Sequence, residues 1–327
     1  MKWLKKTLSG ILILLVILLI VGVAYEQISR INAEENLPAH GDFVDVGGHK
    51  LHYYKQGTGG PTVVFESAFD AGGHLQWFNI QKKIADFATS ISYDRAGLMW
   101  SERGNNPKTG KFIARELHTL LEKSGAAKPY ILVGHSLGGT MLRSFVAQYP
   151  QDVAGVLLID SSHPSRQNFM SAELYNMINA GLPGTFLKFA NEVGLLRLMF
   201  KNYFPAQPEY DYQNTLMPAL LFKSAYAILE EQDQMPAIFQ ETSKIDSFGD
   251  IPLIVMSATD RDRFDKMISD TKLKNELIDA LDKTQKDLLG LSSNSEQILV
   301  ANSGHYINED QPDAIINALK MMIAKTL

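Results

Sequence analysis

The sequence contains no cysteine. This absence excludes disulfide frameworks, cysteine nucleophiles, cysteine-ligated zinc and iron–sulfur clusters. The sequence also has no excess of basic residues. It contains 31 Lys and Arg against 36 Asp and Glu, which gives a net charge of −5. Nucleic acid is therefore not expected as a partner. No internal repeat of 20–50 residues is visible, which argues against solenoids and propellers. The 327 residues are 45% hydrophobic and 20% charged, a composition typical of a globular protein.

The first 25 residues form a separate unit. Three lysines, at positions 2, 5 and 6, precede an uncharged run whose centre, 11–21, is entirely Ile, Leu and Val. Leu8–Tyr25 would extend about 27 Å as a helix, the short end of a bilayer span. We interpret residues 1–25 as a membrane anchor, with a signal peptide cleaved near Gly22-Val23-Ala24 as the alternative.

The location of the remaining chain follows from the same lysines. Basic residues flanking a span stay in the cytoplasm, so everything after Tyr25 is expected outside it. An uncleaved anchor predicts a single-pass protein of the cell membrane, whereas cleavage predicts a secreted protein. Residues 26–41 are polar and are predicted to be a linker.

From residue 42 to 327, short apolar strands alternate with helices. This alternation predicts one α/β domain with a mostly parallel eight-stranded sheet and helices on both faces. Glycines 47 and 48 predict an opening antiparallel hairpin. The predicted strands are 43–46, 51–54, 62–65, 90–93, 130–133, 156–159, 253–256 and 297–300. The predicted helices are 74–87, 112–123, 137–149, 264–289 and 312–325.

Residues 161–250 interrupt the alternation. This segment holds eight of the 16 phenylalanines, and parts of it show helical spacing of apolar residues. A segment so apolar must cover another surface or be covered itself. We therefore predict a helical cap insertion over the carboxyl edge of the sheet, the alternative being an extra layer without substrate contact.

One motif carries chemistry. Gly134-His135-Ser136-Leu137-Gly138 follows an apolar strand and opens a helix, the context in which G-x-S-x-G forms a nucleophile elbow. Such a turn exposes the serine hydroxyl and points the free N–H groups of the helix at the site. Ser136 is thus the predicted nucleophile.

A serine hydroxyl becomes a nucleophile only when a base takes its proton, and a carboxylate usually orients that base. His305 follows the last predicted strand at the same sheet edge and is the predicted base. Asp160 ends the strand after the nucleophile helix, while Asp260 and Asp262 follow a later strand. The spacing of these residues does not decide which of the three aspartates orients His305.

These segments resemble the α/β-hydrolase superfamily. The order Ser136…Asp…His305 is the order of that family. Tyr93-Asp94-Arg95-Ala96-Gly97 and Gly304-His305-Tyr306 resemble two further segments of it. Two segments, 158–164 and 291–295, are similar to a bacterial esterase-like branch in which the residue after the later strand is often not acidic. The resemblance therefore favours Asp160 as the acid, with Asp260 as the alternative.

The resemblance also indicates where an oxyanion would bind. The family's His-Gly after the third strand is replaced here by Glu66-Ser67-Ala68-Phe69. Because the donors are backbone N–H groups, Leu137 and either Phe69 or Ala68 are expected to supply them.

The resemblance implies a serine hydrolase that cleaves esters of small apolar molecules through an acyl-enzyme. No cofactor and no metal are expected, and the oligomeric state is not predictable. Alternatives on the same triad are acyl transfer, peptide cleavage and C–C bond hydrolysis. A non-catalytic binding or sensor module is an alternative of another class.

Overall fold

A computed structural model describes residues 2–200, 211–262, 264 and 268–326. Residues 201–210 of the predicted cap and residues 265–267 of the predicted helix 264–289 lie outside the described residues. The described strands are β1 Asp42–Asp45, β2 Lys50–Gln56, β3 Thr62–Glu66, β4 Thr89–Tyr93, β5 Tyr130–His135, β6 Val153–Ile159, β7 Leu253–Ala258 and β8 Ser295–Val300.

Helices surround this sheet and fill the interval between β6 and β7. They are α1 Lys2–Asn36, α2 Phe78–Ile84, α3 Gly110–Lys123, α4 Leu137–Gln148, α5 Ala172–Ile178, α6 Gly184–Glu192, α7 Leu195–Phe200, α8 Asp211–Thr242, α9 Thr271–Asp287, α10 Ile307–Asp310 and α11 Pro312–Thr326.

The predicted sheet is confirmed. Its eight strands have the order β1-β2-β4-β3-β5-β6-β7-β8, and all pairs from β4 to β8 are parallel. The hairpin β1–β2 adds two antiparallel pairings at one edge. Strands β3 and β5 are buried along their whole length, as expected of a parallel sheet covered on both faces. Their carboxyl ends therefore meet at one edge.

Two apolar layers enclose the sheet. One face packs against α3 and α4 through side chains such as Leu117, Leu142 and Phe145. The other face packs against α2 and α11 through Ile80, Ile84 and Leu319. This sandwich fixes the strand ends that carry the candidate site.

The described helices α5–α8 lie in the predicted cap segment. The carboxyl-terminal half of α8 packs Ile238 and Phe239 against Ile113 of α3 and Leu137 of α4, with Phe69 at the margin. The long helix α8 thus covers the start of the helix that follows β5. The predicted helix 264–289 is interrupted, since residues 268–270 are not helical and α9 begins at Thr271, where Asp270 accepts from the N–H groups of Lys272 and Leu273.

The predicted linker 26–41 is not all linker. Helix α1 continues past Tyr25 to Asn36, because its polar residues find partners on the cap. Glu26 is fully buried and bonds Arg197 of α7 at 2.7 Å. By length and composition α1 qualifies as a membrane span, as an N-terminal signal sequence also would.

A buried ion network joins the cap to the sheet. Arg95, just after β4, donates to Glu66 of β3 at 2.7 Å and to both carboxylate oxygens of Glu231 of α8 at 2.8 Å. All three side chains are at most 2% exposed. Burial lowers the pKa of Arg95, but Glu231 and Glu66 outweigh this effect and hold it well above its usual value.

Glu231→Gln is expected to lower the free energy of unfolding by about 3 kcal/mol, because it removes one partner of a desolvated charge. Its neighbour Glu230 offers a matched control, since it pairs with the exposed Arg103 and Glu230→Gln should cost less than about 1 kcal/mol. Urea unfolding of the full chain in detergent measures both. Equal losses would mean that the network does not join cap and sheet.

Candidate active site

Ser136 lies on the turn between β5 and α4 in a strained conformation, with φ 53° and ψ −122°. The turn is tight because α4 starts against the end of β3. A Cβ added at Gly138 would lie 2.5 Å from the Ser67 carbonyl oxygen, a distance that no side chain tolerates. The predicted elbow therefore requires glycine at this position, and Ser136 is presented at the carboxyl edge of the sheet.

The loop after β6 pins the elbow in place. The Ser136 N–H donates to the Ile159 carbonyl at 3.1 Å, and the Ser136 carbonyl accepts from the Ser162 N–H at 2.9 Å. The Ser136 hydroxyl lies 3.4 Å from the Ser162 hydroxyl. These bonds position Ser136 relative to Asp160, which lies within the same loop.

His305 is paired with Asp160. The His305 Nδ1 lies 2.7 Å from Asp160 Oδ2, and Asp160 Oδ1 accepts from the Ala258 N–H at 3.2 Å. Burial raises the pKa of Asp160, but the hydrogen bond and charge of His305 outweigh it and hold the pKa below its usual value. An ionised Asp160 fixes the proton of His305 on Nδ1, which leaves Nε2 as the basic nitrogen.

The alternative acids are turned elsewhere. Asp260 is exposed, its Oδ1 accepts from the Asp262 N–H at 2.8 Å, and its own N–H bonds the Ser303 carbonyl. Asp262 is exposed as well. Both belong to a surface turn, so the structure brings His305 to Asp160 and to neither of them.

His163 follows Asp160 closely but is already engaged. Its Nε2 lies 2.9 Å from Asp287, and its Nδ1 accepts from the Ser165 N–H. Burial lowers its pKa more than Asp287 raises it. With both ring nitrogens bonded, His163 is not placed to act as the base.

Ser136, Asp160 and His305 line one pocket of about 240 Å³. Among the described residues no hydrogen bond joins Ser136 to His305, and the serine hydroxyl faces Ser162 instead. Catalytic hydrogen bonds are often long without substrate.

Helix α9 forms the apolar wall of this pocket, which the sequence analysis missed. Leu277, Ala280 and Leu281 face the pocket, opposite Met170 and Ile178 from the cap segment. Their spacing of three and four residues is a helical signal. The many charged residues of this segment make the apolar face hard to recognise in the sequence.

The two candidate oxyanion donors on the β3 side differ. The Ala68 N–H donates to Gln76 Oε1 at 2.9 Å, whereas no acceptor for the Phe69 N–H is present among the described residues. Leu137 is the first residue of α4, so its N–H has no acceptor within the helix. The geometry favours Phe69 over Ala68 as the partner of Leu137.

A chain of hydrogen bonds links the β3 loop to the base. Gln76 accepts from Ala68 and its Nε2 donates to His135 Nδ1 at 2.5 Å. His135 Nε2 then donates to the backbone carbonyl of His305 at 2.7 Å. The histidine of the elbow motif therefore positions the loop that carries the base.

One cluster in the described part of the chain has the spacing of metal ligands. The ligand atoms of His52, His74 and Asp94 lie within 4.8 Å of one another. Each histidine Nδ1 bonds one Asp94 oxygen at 2.8 Å, and His52 Nε2 lies 3.1 Å from the His40 carbonyl. These contacts describe a buried hydrogen-bond network that ties β2 to the end of β4.

Comparison with known proteins identifies the architecture. Residues 61–312 match a family model described as alpha/beta hydrolase fold. An uncharacterized protein of Bacillus subtilis, YbdG, is 30% identical over 177 residues, which cover 51% of this chain and 53% of YbdG. The chain thus spans about half the length of this relative.

Solved structures with different activities share the fold. The Cif epoxide hydrolase from Acinetobacter nosocomialis superposes with a TM-score of 0.65 at 16% identity, covering 92% of this chain and 96% of that one. A thermophilic esterase from Thermogutta terrifontis superposes with a TM-score of 0.53 at 20% identity, covering 85% and 94%. At such identities the likeness shows the fold alone.

Proposed function

The chain belongs to the α/β-hydrolase family, and we propose that it is a serine hydrolase that cleaves carboxylic esters of small apolar molecules. The observation that carries the proposal is the 2.7 Å bond between His305 and Asp160 in the pocket that also exposes Ser136. Epoxide hydrolases and dehalogenases of this family carry aspartate as the nucleophile, so a serine at the elbow favours acyl chemistry.

In the proposed reaction, His305 Nε2 takes the Ser136 proton as the serine oxygen attacks the ester carbonyl. The N–H groups of Leu137 and Phe69 bind the oxyanion. Asp160 stabilises the imidazolium, which then gives its proton to the leaving alcohol. A water molecule, activated by the same histidine, attacks the acyl-enzyme and releases the acid. The proposed steps use no metal and no organic cofactor.

We further propose that α1 anchors the chain in the cell membrane, with the catalytic domain outside the cytoplasm. The apolar length of α1 and the lysines before it support this orientation. The hydrogen bonds of Glu26 and Arg30 to the cap fasten the end of α1 to the rest of the chain, so an uncleaved helix would hold the catalytic domain directly at the membrane.

Ser136→Ala is expected to abolish hydrolysis of p-nitrophenyl esters, because it removes the attacking oxygen. A fluorophosphonate probe should label the wild type and fail to label this variant. Ser162→Ala is the matched control, since its hydroxyl is 3.4 Å away and labelling should persist. Labelling retained in Ser136→Ala but lost in Ser162→Ala would identify Ser162 as the nucleophile. If the wild type released p-nitrophenol without forming the free acid, acyl transfer would be favoured over hydrolysis.

Asp160→Asn should lower kcat for ester hydrolysis roughly a hundredfold or more, since an amide no longer holds the correct tautomer of His305. Asp260→Asn should lower kcat less than about tenfold, as expected of a surface change. Circular dichroism checks that both variants are folded. The reverse ranking would assign the acid to Asp260, and two small losses would exclude both residues.

The apolar wall predicts a preference for short to medium acyl chains. Each added methylene that is buried should raise kcat/KM about fourfold, from about 0.8 kcal/mol, until the pocket is full. A series of p-nitrophenyl esters from acetate to decanoate measures this rise and the chain length at which it stops. Activity confined to charged or strongly polar esters would contradict the proposed substrate class.

A further inference from the structure

The cap presents an apolar face to solvent. We define this face by six side chains of the α6–α7 region whose exposed fractions are 42–64%. They are Leu182, Phe186, Phe189, Leu195, Leu198 and Met199. Within each helix the spacing is three or four residues, so the side chains share one side. Since α6 and α7 also contact each other, we take these exposed apolar side chains as a candidate interaction surface.

This face lies beside the end of the apolar run of α1. The turn between α6 and α7 touches Gly22, where an added Cβ would be 2.4 Å from the Val193 carbonyl oxygen. Gly194 is close as well, since its own Cβ would meet the Gly22 carbonyl oxygen at 3.1 Å. Gly22 comes three residues before Tyr25, about 4.5 Å along the helix. The turn is therefore level with the last apolar residues of α1.

Ion pairs hold helices α6 and α7 against α1. Arg197 of α7 bonds Glu26 at 2.7 Å, and Arg30 of α1 bonds Glu192 of α6 at 3.1 Å. Glu26 is fully buried and Arg197 is 7% exposed. Removing one partner of a buried pair costs about 3–5 kcal/mol. Helices α6 and α7 thus keep a fixed height relative to the apolar run.

We propose that the α6–α7 face is a second membrane contact, inserted into the headgroup and upper acyl region of the leaflet from which α1 emerges. The occupant is a phospholipid bilayer surface, because the same rigid unit contains the helix that enters the bilayer. The proposal rests on the anchoring role proposed for α1. Apolar side chains on a helix lying in the interface bind in proportion to the area they bury. The cap would then face the membrane.

Because the chain has no cysteine, single cysteines report single positions. Phe189→Cys and Leu198→Cys probe the face, Val16→Cys probes the apolar run, and Leu299→Cys, on the exposed edge strand β8, serves as the water-facing control. Each full-length variant is labelled with an environment-sensitive fluorophore and reconstituted into phosphatidylcholine–phosphatidylglycerol vesicles. Lipids brominated on the acyl chains then quench labels that lie within the bilayer. Activity on a water-soluble ester checks the fold of each variant.

Labels at 189 and 198 should be quenched about twofold or more relative to the label at 299, and nearly as strongly as the label at 16. Quenching at 16 but not at 189 or 198 would overturn the proposed contact while leaving the anchor in place. Absence of quenching at 16 would overturn the anchor and the contact together. Energy transfer between labels that rises with protein density, without lipid quenching, would assign the face to a second copy and overturn the proposal.

Discussion

The buried guanidinium of Arg95 is the interaction on which the site depends most. Besides Glu66 and Glu231 it donates to the carbonyl oxygens of Ser67 and Ala68, each at 2.9 Å. These two residues begin the loop that carries the proposed oxyanion donor. A planar group with five donors suits this task, whereas a lysine ammonium would leave several acceptors without a partner. One side chain therefore sets the positions of β3, the oxyanion loop and α8 together.

His305, the proposed base, is held by an analogous arrangement on the other side of Ser136. His135 precedes Ser136 and bonds the backbone of His305, while Gln76 joins His135 to Ala68. A shift of the β3 loop would thus displace His305, and a shift of His305 would displace the β3 loop. The amide of Gln76 and the imidazole of His135 transmit this geometry through hydrogen bonds. The nucleophile, the base and the oxyanion donors consequently form one connected unit.

Sequence reasoning predicted the sheet and the elbow because strand spacing and glycine placement are local. It left the acid open because Asp160 and Asp260 both follow strands of the same edge. Their backbones distinguish them: Asp160 has a positive φ of 38° and turns its carboxylate inward, while Asp260 closes a surface turn. The sequence places Glu26 in a linker because residues 26–41 are polar. Its partner Arg197 is 171 residues away, and such pairing has no local signal.

The contacts of α1 with the cap show that the proposed membrane anchor is part of the folded unit. Polar composition after Tyr25 suggests a flexible tether, yet Glu26 and Arg30 fasten α1 to α6 and α7. Ala33, about one turn further along α1, packs with Leu216 and Leu220 of α8. Helix α8 also carries Glu231, the partner of Arg95. A break within residues 26–36 would leave Arg197 buried without its carboxylate. The folded unit therefore begins before Glu26. Its contacts with α6 and α7 mean that α1 sets the orientation of the cap.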